Sequence, residues 1–153
     1  MTAYLLALDP GKASGVSLLD ITDFDDIKIV WTKELEQWET CSGIDNLCQG
    51  AARDEYVLEI VCESFHVTSE TAKKSPAMWS SEIIGAVRYF CQRDGIRFTL
   101  QTPNAAKTFT DNARLRALGL WHKGGAGHAN DSLRHAVLYL VEKRGWRPSG
   151  LTA

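Results

Sequence analysis

Three carboxylates and one histidine stand at places in the sequence where they could bind divalent cations. Asp9 follows the apolar run Tyr4–Leu8 and precedes a Pro-Gly turn, and Glu63 ends a second apolar run. Near the other end of the chain, His128 and Asp131 lie three residues apart. An acid that ends a buried strand is presented at the edge of a sheet rather than in its core. Because hard cations such as Mg²⁺ prefer carboxylate oxygens, the pattern predicts a metal site.

The helix predicted from about Ala129 to Lys143 separates its apolar residues from its polar ones. Its apolar stripe accounts for core packing and consists of Leu133, Ala136, Val137, Leu140 and Val141. A different face carries three polar residues at spacings of three and four, where their side chains can bind one ion: His128, Asp131 and His135. Taken singly, Asp131 would complement the helix dipole, and His128 and His135 would each be a surface residue or a neighbour of a ligand. Their occurrence together with the two strand-end acids favours metal binding, and His135 is assigned no specific role.

The elements that must position these residues alternate between strands and helices. Apolar runs predict strands at Ala3–Leu8, Gly15–Ile21, Ile27–Trp31, Val57–Cys62 and Ile96–Leu100. Helical periodicity predicts a helix that begins at Pro103 and others at Ser42–Arg53 (with Ser42 as its cap), Met78–Arg93, Asp111–Leu118 and Ala129–Lys143. Three strands close enough to form a meander, followed by alternating helices and strands, indicate a single α/β domain over residues 1–153. Its expected architecture is a mixed five-stranded sheet flanked by helices on both faces.

Charge is distributed unevenly along a chain whose net charge is only -2. Residues 1–70 hold 14 acids against 4 Lys and Arg, whereas residues 97–147 hold 9 Lys and Arg against 3 acids. The first part could carry metal and the second could contact phosphates, although a solvated surface of uneven charge explains the counts equally well. The candidates for phosphate contacts precede the metal-binding helix and are Lys107, Arg114, Arg116 and Lys123. The glycine-rich loop Lys123–Gly127 lacks the Walker spacing and is interpreted as a flexible flank of the site.

The cysteine pattern and the lack of long apolar runs exclude several classes of protein. No Cys-x-x-Cys spacing occurs, so we expect reduced, structural thiols at Cys41, Cys48, Cys62 and Cys91. No apolar run approaches membrane-spanning length, and the N-terminus has neither a basic flank nor a cleavable apolar segment. These observations predict a cytoplasmic protein with no membrane partner.

The ordered set of motifs resembles the RuvC-type Holliday-junction resolvases of the ribonuclease H-like superfamily. The resemblance rests on Asp-Pro-Gly after an aliphatic strand, Gly15 four residues after the first glycine, the strand-end Glu63, and His-x-x-Asp at a helix start. Each motif is weak alone, but together they cover Ala3 to about Lys143 in order. The short chain resembles a compact phage-type member, whose expected location is the cytoplasm of a bacterium or of a phage-infected host cell.

The resemblance implies a ribonuclease H-like fold and the activity of a crossover junction endodeoxyribonuclease. The implied catalytic and metal-binding residues are Asp9, Glu63, His128 and Asp131. At the position of the histidine, some members of the family have an acid and others a histidine. Two Mg²⁺ ions per active site are implied, with Mn²⁺ as a substitute. An aromatic residue shortly after the strand-end acid would insert at the junction centre, and this sequence offers Phe65, or His66 one place later.

The expected chemistry is phosphodiester hydrolysis in branched DNA. Two Mg²⁺ ions about 3.5–4 Å apart make a water nucleophilic near neutral pH and stabilise the leaving 3′-oxygen as charge builds on it. A four-way junction is close to two-fold symmetric, and paired nicks on opposing strands need two active sites, which predicts a C2 homodimer. Its predicted surface is the helix Met78–Arg93, preceded by Thr68–Pro76, because Trp79 and Ala86 lie off the line of the apolar stripe. The alternative is that Trp79 packs on the core of its own chain.

Two other functions agree with the same residues. One is a ribonuclease H-like nuclease that acts on flaps, forks or RNA–DNA hybrids, and the other is a non-catalytic DNA-binding scaffold. Three retained acids argue against the scaffold, because clustered like charges cost stability unless metal neutralises them. A third possibility is a sugar kinase or an actin-like ATPase, whose first phosphate loop also follows a strand that bears an Asp, but 153 residues are too few for its second nucleotide-binding half.

Overall fold

The runs predicted as strands form one mixed sheet in the computed structural model, which describes residues 1–74 and 78–151. The strands are β1 (Ala3–Asp9), β2 (Ala13–Asp20), β3 (Lys28–Glu36), β4 (Val57–Glu63) and β5 (Arg97–Gln101). The helices are α1 (Gln37–Ala52), α2 (Ser69–Lys74), α3 (Trp79–Asp94), α4 (Pro103–Phe109), α5 (Asn112–Ala117) and α6 (His128–Arg144). A 3₁₀ turn at Ser149–Leu151 follows. The expected α/β class, a mixed five-stranded sheet flanked by helices, is confirmed.

The order of the strands brings both strand-end acids to one edge of the sheet. That order is β3-β2-β1-β4-β5, with β1 antiparallel to β2 and parallel to β4. Since β1 and β4 run side by side in one direction, Asp9 and Glu63 lie at the same edge, which we call the acidic edge. The register pairs Asp9 with Gly15 of β2, and Glu63 with Gln101 of β5.

Helices on both faces explain why the central strands are continuous apolar runs. Leu5 and Ala7 of β1 pack on the face covered by α6, whereas Leu6 and Leu8 pack on the face covered by α1 and α3. The helical side chains of these two cores are Leu133, Ala136, Val137 and Leu140 on the first face, and Ile44, Cys48, Ile83 and Val87 on the second. A parallel strand buried on both sides needs apolar residues at every position. The core therefore fixes α6 against the sheet along most of its length.

The predicted boundaries differ most from the structure at β3 and α1. The sequence predicts a strand at Ile27–Trp31 and a helix capped by Ser42, whereas β3 continues to Glu36 and α1 begins one residue later. Pairing with β2 continues through this extension. Glu36 then caps α1 in a reciprocal capping box with Glu39. Because glutamate is not among the preferred cap residues, this helix start is difficult to recognise in the sequence.

Other helix ends follow ordinary capping rules. Helix α3 ends at Asp94 and is capped by Gly95, whose φ of 69° is the left-handed conformation that commonly terminates a helix. Asp111 accepts a hydrogen bond from the backbone N–H of Arg114 (2.8 Å) and so caps α5. Helix α2 is not predicted by the sequence. The predicted segment Thr68–Pro76 lies partly outside the described residues.

The cysteines and the helices agree with the sequence in two further respects. All four cysteines are free, and three of them are buried. Burial raises the pKa of the Cys62 thiol, in agreement with a structural rather than a reactive role. Within residues 1–74 and 78–151, no helix is both long enough and apolar enough to cross a bilayer.

Candidate active site

Three of the four predicted metal ligands come together at the acidic edge. One ligand atom from each of Asp9, His128 and Asp131 lies within 4.8 Å of the others. His128 Nδ1 is 3.1 Å from Asp9 Oδ2. Asp9 is 8% exposed, whereas the other two residues are half-buried, so the cluster opens to solvent on the side of α6. We call these three residues the acid–histidine cluster.

Gly15 lets the first turn of α6 approach the acidic edge. A Cβ atom at Gly15 would lie 1.8 Å from the carbonyl oxygen of His128, so any larger residue collides with the helix backbone. Directly behind this contact, the hydroxyls of Ser17 and Ser132 share a buried hydrogen bond of 2.6 Å. The absence of a side chain at Gly15 therefore allows the start of α6 to bring His128 and Asp131 close to Asp9.

Glu34 of β3 holds the loop that precedes α6. Its carboxylate accepts hydrogen bonds from the backbone N–H groups of Ala126 and Gly127, both at 3.0 Å. These bonds, led by the one from Ala126, lower the pKa of Glu34. Gly125 has a φ of 71°, and a Cβ there would lie 2.6 Å from Glu34 Oε1. The glycine-rich loop thus flanks the site, as the sequence predicts, and it is built around the Glu34 carboxylate.

Glu63, the fourth predicted ligand, lies beside the acid–histidine cluster but is oriented by a different residue. Its Oε2 is 2.9 Å from Nε2 of His135, a residue of α6 that is only 1% exposed. The Glu63 carboxylate is still close enough to Asp9 for the two charges to interact. His135 was the histidine without a role in the sequence, and the structure places it against a predicted ligand.

The electrostatics of the edge favour a bound cation. Burial, together with repulsion from Glu63 and Asp131, raises the pKa of Asp9 from 3.8 to about 6. The hydrogen bond with His128 acts in the opposite direction. A cation bound beside these three carboxylates would offset their mutual repulsion and favour the ionised form of Asp9. The donor set therefore fits a divalent metal ion.

Comparison with solved structures identifies the fold around this site. The structure of Thermus thermophilus RuvC in complex with a Holliday junction substrate matches with a TM-score of 0.64 and 16% identity, over 94% of this chain and 96% of that chain. A second T. thermophilus RuvC structure matches with a TM-score of 0.61 and 14% identity, over 94% and 97% of the two chains. This chain has the RuvC fold. No family model matches the sequence, and no curated protein matches it significantly.

The predicted resemblance to RuvC-type resolvases is therefore confirmed in three dimensions, over nearly the whole of both chains. The RuvC fold also explains why a weak set of motifs was informative. Asp9, Glu63 and the pair on α6 are separated by long stretches of sequence, yet the strand order brings them to one edge. Their order along the chain therefore carries more information than any single motif.

Two basic side chains, those of Lys107 and Arg134, contact Asp131. Lys107 Nζ lies 3.4 Å from Oδ2, and Arg134 donates to Oδ1. Arg134 also donates to the backbone carbonyl of Thr110 (3.0 Å) and to the side-chain oxygen of Asn112, so it ties α6 to the α4–α5 connection. Arg134 is more buried than Lys107, which indicates a fixed structural contact for the arginine and an exchangeable one for the lysine.

The four predicted phosphate-binding cations do not form one surface. Lys107 and Arg116 line a groove of ≈ 620 Å³ together with Arg134. The Arg116 guanidinium also stacks 4.1 Å from the centre of the Trp121 ring. Arg114 donates to the Phe109 carbonyl and lines a separate groove with Glu142, and Lys123 is exposed in the glycine-rich loop. Phe65 is half-buried and His66 exposed in the segment that follows β4.

Proposed function

We propose that this chain is a divalent-metal-dependent crossover junction endonuclease that cleaves Holliday junctions and related branched DNA by paired phosphodiester hydrolysis. The observation that carries the proposal is the acid–histidine cluster, with Glu63 on the adjacent strand, at one edge of a RuvC fold. One matching structure is T. thermophilus RuvC in complex with a Holliday junction substrate, so the same fold in that protein receives this DNA.

The donor set supports Mg²⁺ as the metal, with Mn²⁺ as a substitute. Asp9, Asp131 and Glu63 offer hard oxygen ligands, and His128 adds one imidazole nitrogen, which Mn²⁺ accepts more readily than Mg²⁺. When bound, two such ions supply a nucleophilic water and stabilise the leaving oxygen. The protein's own contribution is to hold Asp9 and His128 in contact at 3.1 Å and to keep the three acids at one edge.

Lys107 and Arg116 are the proposed phosphate contacts nearest to the site. Both line the groove beside Asp131. The pair between Lys107 and Asp131 is half-exposed, and pairs of this kind contribute little free energy, so Lys107 can exchange Asp131 for a phosphate at small cost. Such contacts supply affinity without sequence readout. Phe65, which follows Glu63 by two residues, is the proposed aromatic residue at the junction centre, with His66 as the alternative.

A C2 homodimer supplies the second active site that paired cleavage needs. The proposed surface is the outer side of α3, where Tyr89 is 62% exposed. Trp79 and Ala86, which the sequence placed outside the apolar stripe, are half-buried in the single chain and so leave part of their surface to a partner. A charge at Ala86 is expected to give a monomer, which analytical ultracentrifugation measures directly.

The deciding experiment is a cleavage assay on four DNA substrates, namely a mobile four-way junction, a flap, a fork and a linear duplex. With Mg²⁺ we expect paired nicks in the junction, no cleavage in EDTA, and no cleavage by Asp9→Asn under any condition. Preferential cleavage of flaps or forks would replace this proposal with a flap-type nuclease. Junction binding without any metal-dependent cleavage would identify the chain as a DNA-binding scaffold.

A further inference from the structure

The buried histidine of α6 has a partner on each side of its ring. His135 Nε2 is 2.9 Å from Glu63 Oε2, and Nδ1 is 2.8 Å from the side-chain amide of Gln101. Glu63 and Gln101 are register partners on the parallel strands β4 and β5, so their side chains lie next to each other on the same face of the sheet. His135 therefore bridges the ends of two strands from the helix that covers them.

The hydrogen-bonding pattern selects one tautomer of His135. With its nitrogen toward the ring, the Gln101 amide donates to Nδ1 at 2.8 Å and to the His135 carbonyl at 3.2 Å, while its oxygen accepts from the Tyr139 N–H at 3.2 Å. Nδ1 is then an acceptor, so a neutral ring carries its proton on Nε2. That N–H donates to the Glu63 carboxylate. Each polar group in this chain of contacts has a suitable partner, as burial requires.

The contact leaves the two oxygens of Glu63 unequal. Oε2 is in contact with His135, so a cation that binds Glu63 without displacing this hydrogen bond would bind through the other oxygen. The hydrogen bond from His135 holds the Glu63 carboxylate in this orientation on the strand beside Asp9, whose like charge repels it. A hydrogen bond from a buried imidazole thus fixes the orientation of a carboxylate that has a like charge as its neighbour.

We propose that His135, held by Gln101, is a positioning residue that orients Glu63 for metal binding. The inference rests on the proposed function, since it concerns the same site. His135 does not touch the metal. It acts through Glu63, in the way that groups hydrogen-bonded to a metal ligand fix its direction and its affinity.

The test compares two substitutions at one position. His135→Gln can place an amide N–H near the position of Nε2, whereas His135→Leu has a similar bulk and no donor. Mn²⁺ binding to the DNA-free protein is measured by calorimetry and by electron paramagnetic resonance. We expect His135→Leu to weaken Mn²⁺ binding about 10–100-fold, the usual range for loss of such a partner, and His135→Gln to stay within a few-fold of wild type.

A double-mutant cycle separates positioning from general destabilisation. In a Glu63→Gln background, His135→Leu should cause no further loss of Mn²⁺ affinity, because the group it orients is no longer a charged ligand. Independent losses that add in full would overturn the proposal, and so would wild-type Mn²⁺ affinity in His135→Leu. If His135→Leu fails to fold, Gln101→Leu carries the same test, since it removes the group that fixes the tautomer.

The outcome is distinguishable from failure of the proposed function. Mn²⁺ affinity is measured without DNA, so it reports on His135 even if the wild-type protein cleaves no junction. Conversely, junction cleavage by the wild type with unchanged Mn²⁺ binding in the leucine variant would support the function and refute the role of His135.

Discussion

Asp9→Asn is expected to stabilise the metal-free protein while it abolishes cleavage. The metal-free fold holds the Asp9 carboxylate in a buried position beside Glu63 and Asp131, and its pKa rises from 3.8 to about 6. A difference of about two pKa units corresponds to about 3 kcal/mol of free energy between the two protonation states. The neutral amide has a similar shape and lacks the charge, so it removes this cost together with the carboxylate that is proposed to bind metal.

The raised pKa also fixes the pH dependence of the effect. At acidic pH below the unfolded value of 3.8, the carboxyl group is protonated in both states and contributes nothing. Between about pH 4 and about pH 6, the unfolded chain has lost the proton that the folded protein retains, so wild-type stability falls as pH rises. Since the substitution also alters the contact with His128, the expected gain is about 1–3 kcal/mol at pH 7.5 and close to zero at pH 4.

Urea unfolding in EDTA at several pH values measures this difference directly. For a domain of this size, the gain corresponds to a rise in Tm of about 2–4 °C per kcal/mol. Asp45→Asn is the matched control. The hydrogen bond from Arg93 lowers the pKa of Asp45, so removal of the Asp45 charge should destabilise the folded protein slightly at neutral pH. Saturating Mn²⁺ should stabilise the wild type and leave Asp9→Asn unchanged. A destabilised Asp9→Asn at pH 7.5, or an equal gain at pH 4, would refute the reasoning.

Three further changes test how the site is assembled. Gly15→Ala should destabilise by about 3 kcal/mol or more in thermal unfolding, because its Cβ meets the backbone of α6, whereas Gly43→Ala, with no atom nearby, should be neutral or slightly stabilising. Glu34→Gln should cost about 1–2 kcal/mol and speed hydrogen exchange in the loop before α6, and unchanged exchange would contradict its anchoring role. Neutralising Lys107 and Arg116 together should reduce the salt slope of junction binding by about two, and an unchanged slope would place the DNA elsewhere.

The sequence indicates the proposed ligands of the site better than the residues that hold them in place. Asp9 and Glu63 end apolar runs, and His128 and Asp131 have helical spacing, so each has a local signal. Glu34 has none, because it is one polar residue on an edge strand and its partners lie more than ninety residues away in a loop with left-handed glycines. Its effect depends on backbone directions that exist only after the sheet and α6 have packed.

His135 illustrates an intermediate case. Its spacing of seven from His128 is visible in the sequence, and a histidine within an otherwise apolar part of a helix signals a buried polar contact. The identity of that contact is not visible, because Gln101 is an ordinary polar residue at the end of a strand whose neighbour in the sheet is known only from the topology. The partners of His135 are therefore determined by the pairing of β4 with β5, and residue type alone does not reveal them.

The assembly of the site from β1, β4 and α6 couples metal binding to the completeness of the fold. The acid–histidine cluster joins residues more than a hundred positions apart, and Gly15 and Glu34 both serve to bring the start of α6 to the sheet. The unfolded chain has no such cluster, so a metal ion that binds it stabilises only the folded state. Burial, together with repulsion from Glu63 and Asp131, raises the pKa of Asp9, so ionisation of the carboxylates at this edge is costly. The cation is therefore expected to act both as the catalytic cofactor and as the counter-charge that makes this edge stable.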